Sequence, residues 1–127
     1  MTATSQVPPG ELFVKVRSWL LAAFTAAGAQ LDMGTKLYST FLRAGFAAPD
    51  MTAAALVVCG PVAAGYGYPV GVLRSLLPLI ERTGIASAAE IDIDTLAVRL
   101  QEEALTHERV MFMPRVVGAW TTLAPSG

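Results

Sequence analysis

Apolar positions recur at intervals of three and four from Glu11 onward, with Phe13, Val16, Leu20, Phe24 and Ala27 on one face of a predicted helix. Gly28 is a natural stop for it. A second helix is predicted after Asp32, whose carboxylate can accept from the free N–H groups of a first turn. Leu37, Tyr38, Phe41 and Leu42 would form its buried face, and Gly45 its left-handed terminus. Thr52 to Val58 reads as a buried strand that ends at Gly60-Pro61. The segment up to Gly71, rich in glycine and tyrosine, reads as a loop. A helix follows over about Val72 to Thr83, kinked at Pro78 and closed by Gly84. Ser87-Ala88-Ala89-Glu90 has the spacing of a capping box. Asp92 or Asp94 then starts a helix with Leu96, Leu100 and Ala104 inside and Arg99, Glu102 and Glu103 outside. The last strand runs from about Val116 to Leu123, and Val110-Met111-Phe112 extends it on the far side of Pro114. Ahead of all these, residues 1–10 read as a disordered lead, leaving 11–127 as a single domain.

Composition sharpens this picture. Of 127 residues, 54% are hydrophobic and only 15% charged, so polar side chains are too few to cover an independent monomer of this size. The surplus points to a subunit interface or an apolar ligand cavity. The net charge is −1 and the basic residues are scattered singly, so no face is built to neutralise phosphates and nucleic acid is not expected as a partner. Ala53 to Leu73 carries no charge and has the length of a membrane helix, but six glycines and prolines interrupt it. A strand followed by a glycine loop fits better, and no membrane association is expected. A single cysteine, Cys59, cannot form an internal disulfide and suits a reducing cytoplasm.

Three features invite a chemical reading. Gly65, Gly67 and Gly71 follow a strand and precede a helix, but their G-x-G-x-x-x-G spacing is one residue off the dinucleotide fingerprint. Tyr66, Tyr68 and Pro69 also occupy positions where backbone N–H groups would have to approach a phosphate, so a structural loop is expected. His107, the lone histidine, follows Glu103 by one helical turn; two ligands without a third are thin support for a metal, and a solvated helix end is expected. Cys59 has neither a base nor a cationic neighbour in the pattern and reads as a buried, inert thiol. No metal site and no catalytic set follow from these residues.

The run Leu73-Arg74-Ser75-Leu76-Leu77-Pro78-Leu79-Ile80-Glu81-Arg82-Thr83-Gly84-Ile85-Ala86, its continuation from Ala89 to Leu100, and Val116-Val117-Gly118-Ala119-Trp120 carry a resemblance. From about Leu12 to Leu123 the chain resembles the C-terminal, substrate-side part of class I S-adenosylmethionine (SAM)-dependent small-molecule methyltransferases. The cofactor-binding half of that family, with its glycine loop and acidic ribose contact, is not in this sequence, so no cofactor is expected. After the Gly-Pro pair, where many such enzymes carry an acidic residue, this chain has Val62.

The resemblance implies an α+β fold, with helices packed on a small antiparallel sheet of strands near 52–58 and 116–123 and a helical insertion between them. It further implies a substrate-side wall, with Tyr66, Tyr68 and Arg74 toward a pocket mouth and Trp19, Tyr38 and Phe41 as apolar lining. The expected ligand is an apolar small molecule. One edge of the strand near 116–123 would lack its family neighbour, so a homo-oligomer or a partner chain is expected there. Three functions follow: a binding protein for an apolar metabolite, or one that complements a separate cofactor-bearing chain; a SAM-independent cyclase, isomerase or dehydratase of natural-product biosynthesis; or a fragment or subunit of an active methyltransferase.

Overall fold

The computed structural model describes residues 4–61 and 63–123. In chain order it runs β1 (Ser5–Val7), α1 (Glu11–Ala26), α2 (Met33–Arg43), β2 (Asp50–Ala54), β3 (Val57–Val58), α3 (Ala63–Arg82), α4 (Ala88–Ile91), α5 (Ile93–Thr106), β4 (Val110–Phe112) and β5 (Val116–Trp120). Val62 and residues 1–3 lie outside the described residues. The fold is α+β, with helices packed on two small antiparallel sheets, one ordered β1-β4-β3 and the other β2-β5.

The core forms where α1, α3 and α5 pack on one another. Phe13, Val16, Leu20 and Ala23 come from α1, in the three–four rhythm of the sequence. Leu96, Leu100 and Ala104 come from α5, and Tyr66, Val70, Leu73 and Ile80 from α3. Burying one such aliphatic side chain contributes about 1.5–3 kcal/mol. Among the described residues no helix is long and apolar enough to cross a membrane.

The strand expected over Thr52–Val58 is two strands in two sheets. β2 pairs with β5 from Asp50↔Trp120 to Ala54↔Val116, whereas β3 pairs with β4 at Val57↔Phe112 and Val58↔Met111. Between these ladders, Ala55 and Leu56 face Met113, Pro114 and Arg115, one residue more on the second strand. That is a β-bulge: the strand with the extra residue bends, and the ribbon changes direction. Pro114 sits in it, where its missing N–H breaks no ladder. The neighbouring Met113 N–H still donates to the Leu56 carbonyl at 2.9 Å.

Two further expectations are corrected. Ser5–Val7, inside the stretch read as a disordered lead, is a strand paired with Val110–Phe112. The glycine-rich segment is not a loop: α3 begins at Ala63 and continues through both Pro69 and Pro78. Packing overrides the weak helix propensity there, because Tyr66, Val70 and Leu73 repeat at helical spacing on the buried side. Gly65 is required by close approach, since a Cβ at that position would meet Val58 Cγ1 at 2.5 Å.

Helix ends are closed in two ways. α1, α2 and α3 stop at Gly28, Gly45 and Gly84, each at positive φ. The next residue's N–H in each case reaches back to Phe24, Phe41 or Ile80, the six-residue Schellman closure. α5 closes identically, from the Arg109 N–H to the Ala104 carbonyl, but with Glu108 at φ 50° in place of glycine. Asp32 precedes α2 as expected yet makes no side-chain cap, because its carboxylate pairs with Lys36 at 3.1 Å.

The N-terminus of α1 is capped from far away. Its N-cap is Gly10, which has no side chain to offer. Glu103 of α5 reaches across instead and accepts from the Leu12 N–H at 2.8 Å and the Phe13 N–H at 3.1 Å. A Cβ on Gly10 would lie 2.1 Å from the Glu103 carboxylate, which would have to leave its place over the α1 terminus. The buried Gln6 accepts from the Gly10 N–H, and Arg109 donates to the carbonyls of Pro8 and Glu103. Glu103 is therefore not on a solvated outer face. Arg99, expected beside it, turns back to donate to the Ile91 and Asp92 carbonyls at the end of α4.

Two stability outcomes follow. Glu103→Ala leaves two N–H groups of α1 without their charged acceptor and is expected to cost about 1–3 kcal/mol in urea unfolding, with Glu103→Gln intermediate. Glu108→Gly removes a side chain from the left-handed region and is expected to stabilise by about 0.5–1 kcal/mol, after the extra entropy glycine lends the unfolded chain. A loss of stability on Glu108→Gly would show that this terminus is not strained.

Candidate functional site

A wide concavity lies beside the bend in the ribbon. An open cleft of about 690 Å³ lies against one face of the Ala54–Cys59 and Met113–Val116 segments, with Gly65 and Tyr68 of α3 forming a further wall. Its walls are almost wholly apolar, from Leu56, Val57, Val58, Met113, Pro114 and Val116. The volume falls within the roughly 300–1,000 Å³ of small-molecule sites. A second hollow of about 50 Å³ lies behind it, among α1, α3 and β4, and shares Tyr68, Met113 and Pro114 as a common wall.

Strand alternation decides which face of the ribbon meets the cleft. Ala54 and Val116 face each other and both line it, and Thr52, Gly118, Asp50 and Trp120 share their side of the sheet. α2 covers the opposite side, where a Cβ on Gly34 would lie 3.0 Å from Val117 Cγ2. The ribbon thus has a helix on one face and the cleft on the other. α2 and β2 bury no residue at all, and no residue of β5 is fully buried, so this half has no core of its own.

The six residues expected to form a substrate wall are not gathered in one place. Tyr68 lines both hollows and is exposed, and its hydroxyl makes no hydrogen bond among the described residues. Trp19 is buried in α1 as part of the core. Tyr66 is 1% exposed and its hydroxyl donates to the Gly60 carbonyl at 3.3 Å. Tyr38 and Phe41 lie on α2, Tyr38 exposed and Phe41 half-buried against Phe46, with ring centroids 6.0 Å apart. Arg74 lines neither hollow and donates to Asp94 at 3.0 Å across the surface between α3 and α5.

Two of the other chemical readings change. Cys59 is exposed and lines the cleft, because the ribbon ends there and leaves its last residue at the rim; it is not a buried thiol. His107 is exposed just beyond α5, while Glu103 is committed to α1 and is not available as its partner. Among the described residues no three His, Cys, Asp or Glu side chains converge as metal ligands would. Nothing in the sequence marks Leu56, Met113, Pro114 and Val116 as residues of a site. Their only signal is a proline between two apolar strand segments, and the bulge it marks depends on the register of a strand sixty residues away.

Burial pushes the Tyr66 hydroxyl above its ordinary value of 10.0, and the nearby Cys59 thiolate adds to the shift. The folded pKa is raised, so the unfolded chain ionises first as pH climbs. Tyr66 therefore contributes stability in full below about pH 10 and loses it as pH rises through its folded pKa. Tyr66→Phe is expected to cost about 1 kcal/mol at pH 7 and to flatten the alkaline fall in urea midpoint above pH 10. An unchanged alkaline slope would assign that fall to other groups.

No family model, no curated protein and no solved structure matches this chain.

Proposed function

We propose that this chain is a methyltransferase-like protein of the substrate-side type, which binds an apolar small molecule in the cleft beside the bent ribbon and is not an autonomous SAM methyltransferase. The observation that carries the reading is the cleft itself: about 690 Å³, apolar-walled, with the Tyr68 hydroxyl and the Cys59 thiol as its side-chain polar groups. Such a surface desolvates at little cost and recognises shape and apolar area more than charge. Against SAM, Gly67 and Gly71 lie inside α3, where their backbone N–H groups belong to the helix and cannot cradle a charged cofactor. The lone cysteine suits a cytoplasmic setting.

A second reading, in which the chain complements another polypeptide, draws on a different observation. β5 is paired on one side only, and among the described residues no strand covers its other edge. Unpaired backbone groups along an apolar strand template the addition of another strand.

Titration with 1-anilinonaphthalene-8-sulfonate, alongside native mass spectrometry of the protein as purified, tests the ligand reading. Saturable binding is expected, and Leu56→Glu should weaken it tenfold or more. Leu56 is 73% exposed, so that substitution should leave the urea midpoint unchanged. Binding that is absent, or indifferent to Leu56→Glu, would remove the cleft as the site. Calorimetry giving a SAM dissociation constant of about micromolar or tighter, roughly −8 kcal/mol, would overturn the exclusion of autonomous SAM binding.

A further inference from the structure

The edge of β5 that no described strand covers is five residues long, Val116 to Trp120, and carries neither charge nor proline. Edge strands are ordinarily kept from pairing by lysine, proline, a bulge or a covering segment. The bulge of this ribbon lies just before the strand, between β4 and β5, and does not protect it. We infer that a second copy of this chain pairs antiparallel along β5, with the two-fold axis at Gly118, to form a four-stranded sheet β2-β5-β5-β2. This rests on the proposed association through that strand and names its occupant and register.

Symmetry and side-chain chemistry both favour a second copy. An antiparallel pair of identical strands is two-fold symmetric, so each unpaired donor on one copy meets its equivalent acceptor on the other. Centred on Gly118, the pairing sets Val116 opposite Trp120 of the second copy, twice over. These are the most uncovered side chains of the strand, at 71% and 52% exposure, and both stand on the face away from α2. A β-branched side chain against an aromatic is a favourable cross-strand pair. The smallest residue falls at the axis, where the indole ring can also cover glycine backbone. The same edge on β2 begins with Asp50 and offers no aromatic.

Area sets the strength. Covering Val116 and Trp120 removes on the order of 250 Å² of apolar surface per copy, well short of the roughly 800 Å² each partner contributes to a stable complex. The dimer is therefore a weak one, with a dissociation constant on the order of tens of micromolar to about 100 µM.

Sedimentation of the whole chain from about 10 to 500 µM, with cysteine cross-linking, tests this. The wild type should shift from monomer to dimer across the range, and Val117→Pro should abolish the shift. In a Cys59→Ala background, Gly118→Cys should form an oxidised dimer, because residues at the axis have Cα atoms about 4.5–5.5 Å apart. A Cβ at Gly118 meets Thr52 Cγ2 at an ordinary 3.6 Å, so the variant is tolerated. Val116→Cys should not cross-link, since its two copies lie about 13 Å apart along the strands. A monomer at 500 µM overturns the second copy as occupant and leaves the β5 edge to a different polypeptide. A dimer that survives Val117→Pro places the interface between copies elsewhere and overturns the pairing along β5. Cross-linking through Val116→Cys or Thr52→Cys in place of Gly118→Cys overturns the register or moves the interface to β2.

Discussion

Much of this molecule depends on one surplus residue in a two-stranded ribbon. Where Ala55 and Leu56 face Met113, Pro114 and Arg115, the register slips by one and the ribbon turns. On one side of the turn, β3 and β4 join β1 and contribute Val58 and Met111 to the core. On the other, β2 and β5 leave the core and carry α2 with them. The cleft lies against this bend, lined by the two strand segments and by Gly65 and Tyr68 of α3. A ribbon in unbroken register would run on straight and leave no such hollow.

A second constraint concerns where the few charges go. A chain with only 15% charged residues commits several of them to backbone groups at helix ends. Glu103 serves the first turn of α1, Arg109 the carbonyls of Pro8 and Glu103, and Arg99 those of Ile91 and Asp92. Free N–H and C=O groups at helix termini are costly when covered, and a charged partner satisfies them with stronger bonds than a neutral one. α1 and α5 are thereby tied together by polar contacts as well as by apolar packing. The outer surface is left correspondingly poor in charge.

That poverty is concentrated in one region. Around α1, α3 and α5 the apolar residues are inside, whereas α2, β2 and β5 expose Tyr38, Leu42, Met51, Val116 and Trp120. A two-layer lobe with no buried residue in its helix gains little from folding alone, so its apolar surface is available to a ligand, another strand, or both. The cleft and the open edge share β5, with Val116 lining the one and belonging to the other. Ligand binding and association are therefore properties of the same few residues.

The sequence by itself determined the features that are local. The α1 face from Phe13 to Phe24, the α5 face of Leu96, Leu100 and Ala104, and the stops at Gly28, Gly45 and Gly84 follow from helical spacing and from glycine's access to positive φ. The strands near 52 and 118 were each legible as apolar runs bounded by turn residues, whereas their pairing was expected only from the family resemblance. Tertiary structure alone decided the rest. Glycine and proline between Gly65 and Gly71 argue locally for a loop, yet burial of Tyr66, Val70 and Leu73 outweighs that preference and makes a helix. The roles of Glu103, Cys59 and Pro114 were hidden for a related reason: each is set by a partner that folding brings near from far along the chain. Side-chain type limits what a residue can do, but a carboxylate becomes a cap, and a proline the corner of a cleft, only when packing and register supply the other half.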